Sequence, residues 1–98
     1  MKKTISSWTR AHIFYSGRVQ GVGFRFTAER LALDLRLRGW VKNLPDGRVE
    51  VVCEGSKEKI DKYLVVIHES PLGIYIKKRT VEWLAPTREF KDFTVEFC

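Results

Sequence analysis

Nine consecutive residues, Gly17-Arg18-Val19-Gln20-Gly21-Val22-Gly23-Phe24-Arg25, set three glycines between an alternating apolar run and a segment of helical period. Such a stretch is a strand-to-helix turn, and at the start of a helix the backbone amides have no intrahelical acceptors, so they can converge on an anion. Glycine permits positive φ and lets a ligand approach the backbone, while Arg25 brings a planar cation whose fork matches phosphate oxygens. Spacing alone supports two readings equally. One is a phosphate cradle; the other is a turn that merely joins strand to helix, with Arg25 paired to Glu29 one helical turn later. The common nucleotide signatures are absent, because no third glycine falls in register after Gly21-Val22-Gly23 and no Gly-Lys-Ser/Thr follows.

On the N-terminal side, residues 1–7 have no periodicity and are expected to be a loose lead-in. From Trp8 to Ser16, Ala11, Ile13 and Tyr15 alternate with His12, Phe14 and Ser16, which predicts a strand ending at the glycine loop. Beyond the loop, Phe24, Ala28, Leu31 and Leu35 fall on one helical face, and the basic turn before Gly39 predicts a helix end near Arg38. Trp40 to Leu44 and Arg48 to Glu54 then form a hairpin around Pro45-Asp46-Gly47. Ser56 is placed to cap a second helix whose apolar face carries Ile60, Tyr63, Leu64 and Ile67. After Ser70-Pro71-Leu72-Gly73 a β pattern returns from Ile74 to Leu84, and Phe93, Val95 and Phe97 mark a short closing strand.

Strand, helix, strand, strand, helix, strand is the order of a ferredoxin-like α+β sandwich, an antiparallel sheet with two helices on one face, here with an added terminal strand. No repeat, linker or low-complexity segment divides residues 1–98, so one domain is expected. The net charge of +6 favours anionic partners, which phosphorylated metabolites and nucleic acid both satisfy. Gly21-Val22-Gly23-Phe24-Arg25-Phe26 has some likeness to an RNA-binding strand motif, but it falls at a strand-to-helix junction. Trp40, Trp83, Tyr63 and the phenylalanines lie on apolar periodicities and are expected in the core. Cys53 and Cys98 match no metal spacing or disulfide framework, and no stretch is long and apolar enough for a membrane span, so a cytoplasmic setting is expected. His12 and His68 have no acid or nucleophile at a suggestive spacing. Asn43, beside the Leu44-Pro45-Asp46-Gly47 turn, taken alone reads as a local backbone capper; paired with a phosphate-holding loop, its carboxamide could position a water.

Two stretches in order, Gly17 to Arg25 and Gly39-Trp40-Val41-Lys42-Asn43-Leu44-Pro45-Asp46-Gly47-Arg48-Val49-Glu50-Val51, resemble the acylphosphatase family, and the likeness runs from about Ala11 to the final strand. The resemblance implies the sandwich inferred above and hydrolysis of the carboxyl-phosphate bond of acyl phosphates, with no metal or organic cofactor. It implies that Arg25 binds the substrate phosphate, that Asn43 orients the attacking water, and that amides of Gln20, Gly21, Val22, Gly23, Phe24 and Arg25 complete the cradle. It also implies a small acyl phosphate as substrate, inorganic phosphate as product, no nucleic-acid or membrane partner, and a monomer. Similar domains begin large hydrogenase-maturation carbamoyltransferases; a chain of 98 residues is expected to be the free-standing enzyme.

Overall fold

The computed structural model describes residues 7–97. Apart from Ser7, the expected lead-in lies outside the described residues, as does Cys98. The elements are β1 (Trp8–Gly17), α1 (Phe24–Asp34), β2 (Arg38–Asn43), β3 (Val49–Ser56), α2 (Lys57–Glu69), a 3-10 turn (Pro71–Tyr75), β4 (Ile76–Leu84) and β5 (Phe93–Glu96). The strands form one sheet in the order β4-β1-β3-β2-β5.

Alternation along β1 and β3 produces the layering. Ala11, Ile13 and Tyr15 of β1 and Val49, Val51 and Cys53 of β3 are fully buried against the helices. From the other side they are met by Phe24, Ala28 and Ala32 of α1 and by Ile60, Tyr63 and Ile67 of α2. The two helices are also tied directly, since Tyr63 Oη donates to the Ala28 carbonyl at 3.0 Å. The expected cap of α2 is present, with Ser56 Oγ accepting from the Lys59 amide at 3.2 Å.

Three expectations are corrected. The antiparallel arrangement holds for β4, β1, β3 and β2, but β5 pairs parallel to β2, so the sheet is mixed. The cause is the route of residues 85–92. They pass from the end of β4 at one edge to the start of β5 at the other, along the same end of the sheet as the start of β2, so β5 must run in the same direction as β2.

The first helix stops at Asp34, short of Arg38. Arg36 adopts a left-handed φ of 58°, and the Leu37 amide returns to the Ala32 carbonyl at 2.9 Å, so an arginine does the work usually left to glycine at a helix end. Gly39 belongs instead to β2, where a Cβ would sit 1.9 Å from the Val52 carbonyl oxygen.

The third correction concerns aromatics. Tyr63, Phe24 and Phe93 are in the core, whereas Phe26 and Phe97 are 58% and 69% exposed and Trp40 and Trp83 are only partly covered. A sheet covered by helices on one face leaves alternate positions on the other, where Lys42 lies 5.1 Å from the Trp40 ring; Trp83, opposite Ala11, is on the helix face but near the end of the edge strand β4, where Lys57 at the start of α2 lies 4.6 Å from its ring.

Residues 85–92 are held by the central strand. Glu54 of β3, fully buried, accepts from the Thr87 amide at 2.8 Å, the Arg88 amide at 2.9 Å and Arg10 Nε at 2.7 Å. Tyr15 is the opposite case, because its buried hydroxyl has no hydrogen-bond partner among the described residues, and burial raises its pKa well above the ordinary tyrosine value. Tyr15→Phe is therefore expected to stabilise the fold by about 1 kcal/mol, since it removes an unpaired polar group without opening a cavity. A thermal melt should show a rise of about 4–8 °C; a fall would mean that the hydroxyl is satisfied in solution.

Candidate active site

The register places four chain segments at one end of the sheet. These are the end of β1 with the loop that follows it, the N-terminus of α1, Asn43 at the end of β2, and Phe97 just beyond β5. Gly21 and Gly23 take left-handed φ of 79° and 78°, a conformation that turns the chain sharply into α1 and that side chains with a Cβ rarely adopt.

The two helices begin differently. Helix α2 has its serine cap and an acidic residue in its first turn, while α1 has neither a side-chain cap nor an acid. The first intrahelical bond of α1 runs from the Thr27 amide to the Gly23 carbonyl at 3.1 Å. The amides before it and the positive end of the helix dipole are thus directed at the mouth of the loop.

A pocket of about 100 Å³ lies at that point, lined by Val19, Gly21, Gly23, Phe24, Arg25, Phe26 and Asn43. Of the residues singled out from sequence, Gly21, Gly23, Phe24, Arg25 and Asn43 are brought together there. Gln20 and Val22 are not on that wall. The Gln20 side chain turns away and donates from Nε2 to the Leu44 carbonyl at 2.8 Å and the Arg48 carbonyl at 2.9 Å, fastening the loop to the hairpin that carries Asn43. Val22 packs against the core.

Among the described residues Arg25 has no ion pair with Glu29; its guanidinium lies 4.9 Å from the centre of the Phe97 ring. Val19, Phe26 and Phe97 were not legible as site residues. Phe26 has a weak signal, an aromatic off the apolar face of its helix. Phe97 has none, because its contact with Arg25 exists only through the parallel pairing of β5.

The rest of the titratable chemistry lies elsewhere. His12 Nε2 is 2.6 Å from Glu50 Oε2, a partner that sequence spacing could not reveal because it comes from the neighbouring strand. This pair lies on the sheet face away from the helices. Burial pushes the Cys53 thiol up to about 12, which keeps it protonated near neutral pH and unsuited to nucleophilic attack. No cluster of His, Cys, Asp and Glu that could hold a metal is found among the described residues, and none of their helices is long and apolar enough to cross a membrane.

The family model for acylphosphatase matches residues 11–95. Acylphosphatases from Methylococcus capsulatus and a Roseiflexus species are 45% and 42% identical over 86 residues, covering 88% of this chain and 94% and 92% of theirs. The crystal structure of acylphosphatase from Bacillus subtilis superposes with a TM-score of 0.82 at 31% identity, covering 90% of this chain and 98% of that one. With matched sequence, matched fold and an uncapped helix behind a glycine loop, this chain belongs to the acylphosphatase family, enzymes that hydrolyse the carboxyl-phosphate bond of acyl phosphates.

Proposed function

We propose that Arg25, Asn43 and the loop amides carry this hydrolysis, with Arg25 gripping the phosphoryl group and Asn43 presenting the attacking water. The observation that supports the reading is the single small pocket in which the start of α1, Arg25 and Asn43 meet. Two sources of positive potential, the uncapped start of α1 and Arg25, line one pocket. They stabilise charge on the equatorial oxygens of a phosphoryl group in transfer, where geometry and charge supply most of the rate.

In the reaction, a water oxygen bonds to phosphorus opposite the acyl oxygen, and the phosphorus–acyl oxygen bond breaks with its electron pair leaving on the carboxylate. The proton released by water passes to a phosphoryl oxygen, giving carboxylate and dihydrogen phosphate. An amide is too weak a base to take that proton. Asn43 therefore acts by orientation, through a carboxamide that both donates and accepts. Gln20 contributes by fastening the hairpin, which fixes the position of Asn43 relative to the loop. Within this reading the enzyme acts as a monomer in the cytoplasm, on a small molecule, without a nucleic-acid partner or cofactor.

Hydrolysis of acetyl phosphate in water enriched in the heavy oxygen isotope tests the direction of attack, and the label is expected in inorganic phosphate. Label in acetate would put the attack on the carbonyl and remove this mechanism. Asn43→Ala is expected to lower kcat about 10²-fold while the inhibition constant for inorganic phosphate stays within about twofold. A parallel loss of phosphate affinity would make Asn43 a binding or folding residue.

A further inference from the structure

The phosphate pocket has room for little more than the phosphoryl group, so the acyl portion of a substrate must lie outside it. A cavity of about 520 Å³ adjoins it, lined by Gly17, Arg18, Ile74, Tyr75 and Lys77. Arg18 of this cavity and Val19 of the phosphate pocket are consecutive residues, so the start of one loop lines both spaces.

The wall is built by the fold. The Arg18 amide donates to the Tyr75 carbonyl at 3.0 Å, fixing the start of the glycine loop to the chain that enters β4. There the β1–β4 register slips. Ser16 faces Lys78 and Gly17 faces Ile76, which leaves Lys77 as the extra residue of a bulge. A bulge redirects the side chain it carries and occurs often beside active sites. Ile74, 84% exposed, supplies an apolar surface with no role in the core. The lining thus offers two cations, a tyrosine and an isoleucine, and no carboxylate.

We propose that this cavity is the acyl-group site, and that Arg18 and Lys77 select acyl phosphates whose chain ends in a second negative charge. The proposal rests on the loop being the phosphate site, as set out above. Ile74 and Tyr75 cover the methylenes of the chain, and the two cations meet its terminal carboxylate. A neutral chain of the same length gains the apolar contact alone.

Succinyl phosphate and butanoyl phosphate differ chiefly in that terminal carboxylate, so the ratio of their kcat/KM values isolates it. The wild-type enzyme is expected to favour succinyl phosphate about tenfold at low salt, with the preference shrinking as salt is added. Arg18→Gln and Lys77→Gln should each lower kcat/KM for succinyl phosphate about 3–5-fold and leave butanoyl phosphate within about twofold. Lys77→Glu should remove or invert the preference. Equal handling of the two substrates by the wild-type enzyme, or an equal fall on both in the variants, would overturn the proposal, since the second result is general attraction of anions to a chain of net charge +6. The underlying reading fails separately, if Arg25→Lys hydrolyses both substrates at the wild-type rate.

Discussion

Arg25→Lys is expected to lower kcat/KM for acetyl phosphate by about 10²-fold, and Arg25→Ala by about 10³-fold. Lysine keeps the charge but loses the planar fork that meets two phosphoryl oxygens at once, and its ammonium holds hydration water more tightly. The loss should appear in both terms, with a raised inhibition constant for inorganic phosphate and a lowered kcat, because the phosphoryl group is held in the ground state and gathers charge in transfer. Folding should be unaffected. Arg25 stands in the first turn of α1, and its guanidinium lies over an exposed phenylalanine ring. Turnover near the wild-type rate by either variant would exclude Arg25 from the mechanism, and an unfolded circular dichroism spectrum would show that it acts through structure.

Glu54→Ala is expected to destabilise the protein by about 3–5 kcal/mol, a large share of the roughly 5–15 kcal/mol available to a small domain. The variant leaves the Thr87 and Arg88 amides and the half-buried Arg10 guanidinium without the acceptor they share. Glu54→Gln keeps one oxygen and should lose less.

The same carboxylate sets an acid limit on stability. Burial pushes its pKa upward, but the Thr87 amide, the Arg10 guanidinium and the Arg88 amide outweigh burial and hold it below the ordinary glutamate value. A carboxyl depressed in the folded state contributes stability that is present above its unfolded pKa and lost as pH falls through its folded pKa. Urea midpoints measured from neutral pH down through the carboxylate range should therefore fall more steeply for the wild type than for Glu54→Gln. Parallel curves would show that other carboxyls govern acid unfolding. Where the Gln variant is folded its activity should be close to normal, since Glu54 pairs with Arg10 and Arg38 at the end of the sheet opposite the phosphate pocket.

Particular elements show which parts of the protein were readable in its sequence. Helix α2 was plain, because Ser56 caps it and Ile60, Tyr63, Leu64 and Ile67 repeat at the helical period. The end of α1 is not legible, because the basic turn before Gly39 imitates a helix stop, while the true stop uses Arg36 in a left-handed conformation that its sequence does not advertise. In the site, Gly21, Gly23, Arg25 and Asn43 could be named from two local motifs. Gln20 is expected in the cradle through its backbone amide, and its side chain has a separate task, spanning to the hairpin. That contact joins residues 24 and 28 positions apart, and no local pattern reports it.

The elements, the layering and the residue types of the site follow from local pattern, because alternation, helical period, capping and glycine placement act between near neighbours in the chain. Three features belong to the folded chain alone: β5 runs parallel to β2, Glu54 receives residues 85–92, and Lys77 stands out of register near Arg18. Each depends on strands distant in the chain meeting in one register, and register is chosen by packing the whole core. On its own residues the glycine loop reads equally as an anion nest and as a plain strand-to-helix turn. Its becoming one wall of a pocket with Asn43 required the sheet, which brings the end of β2 to the mouth of α1.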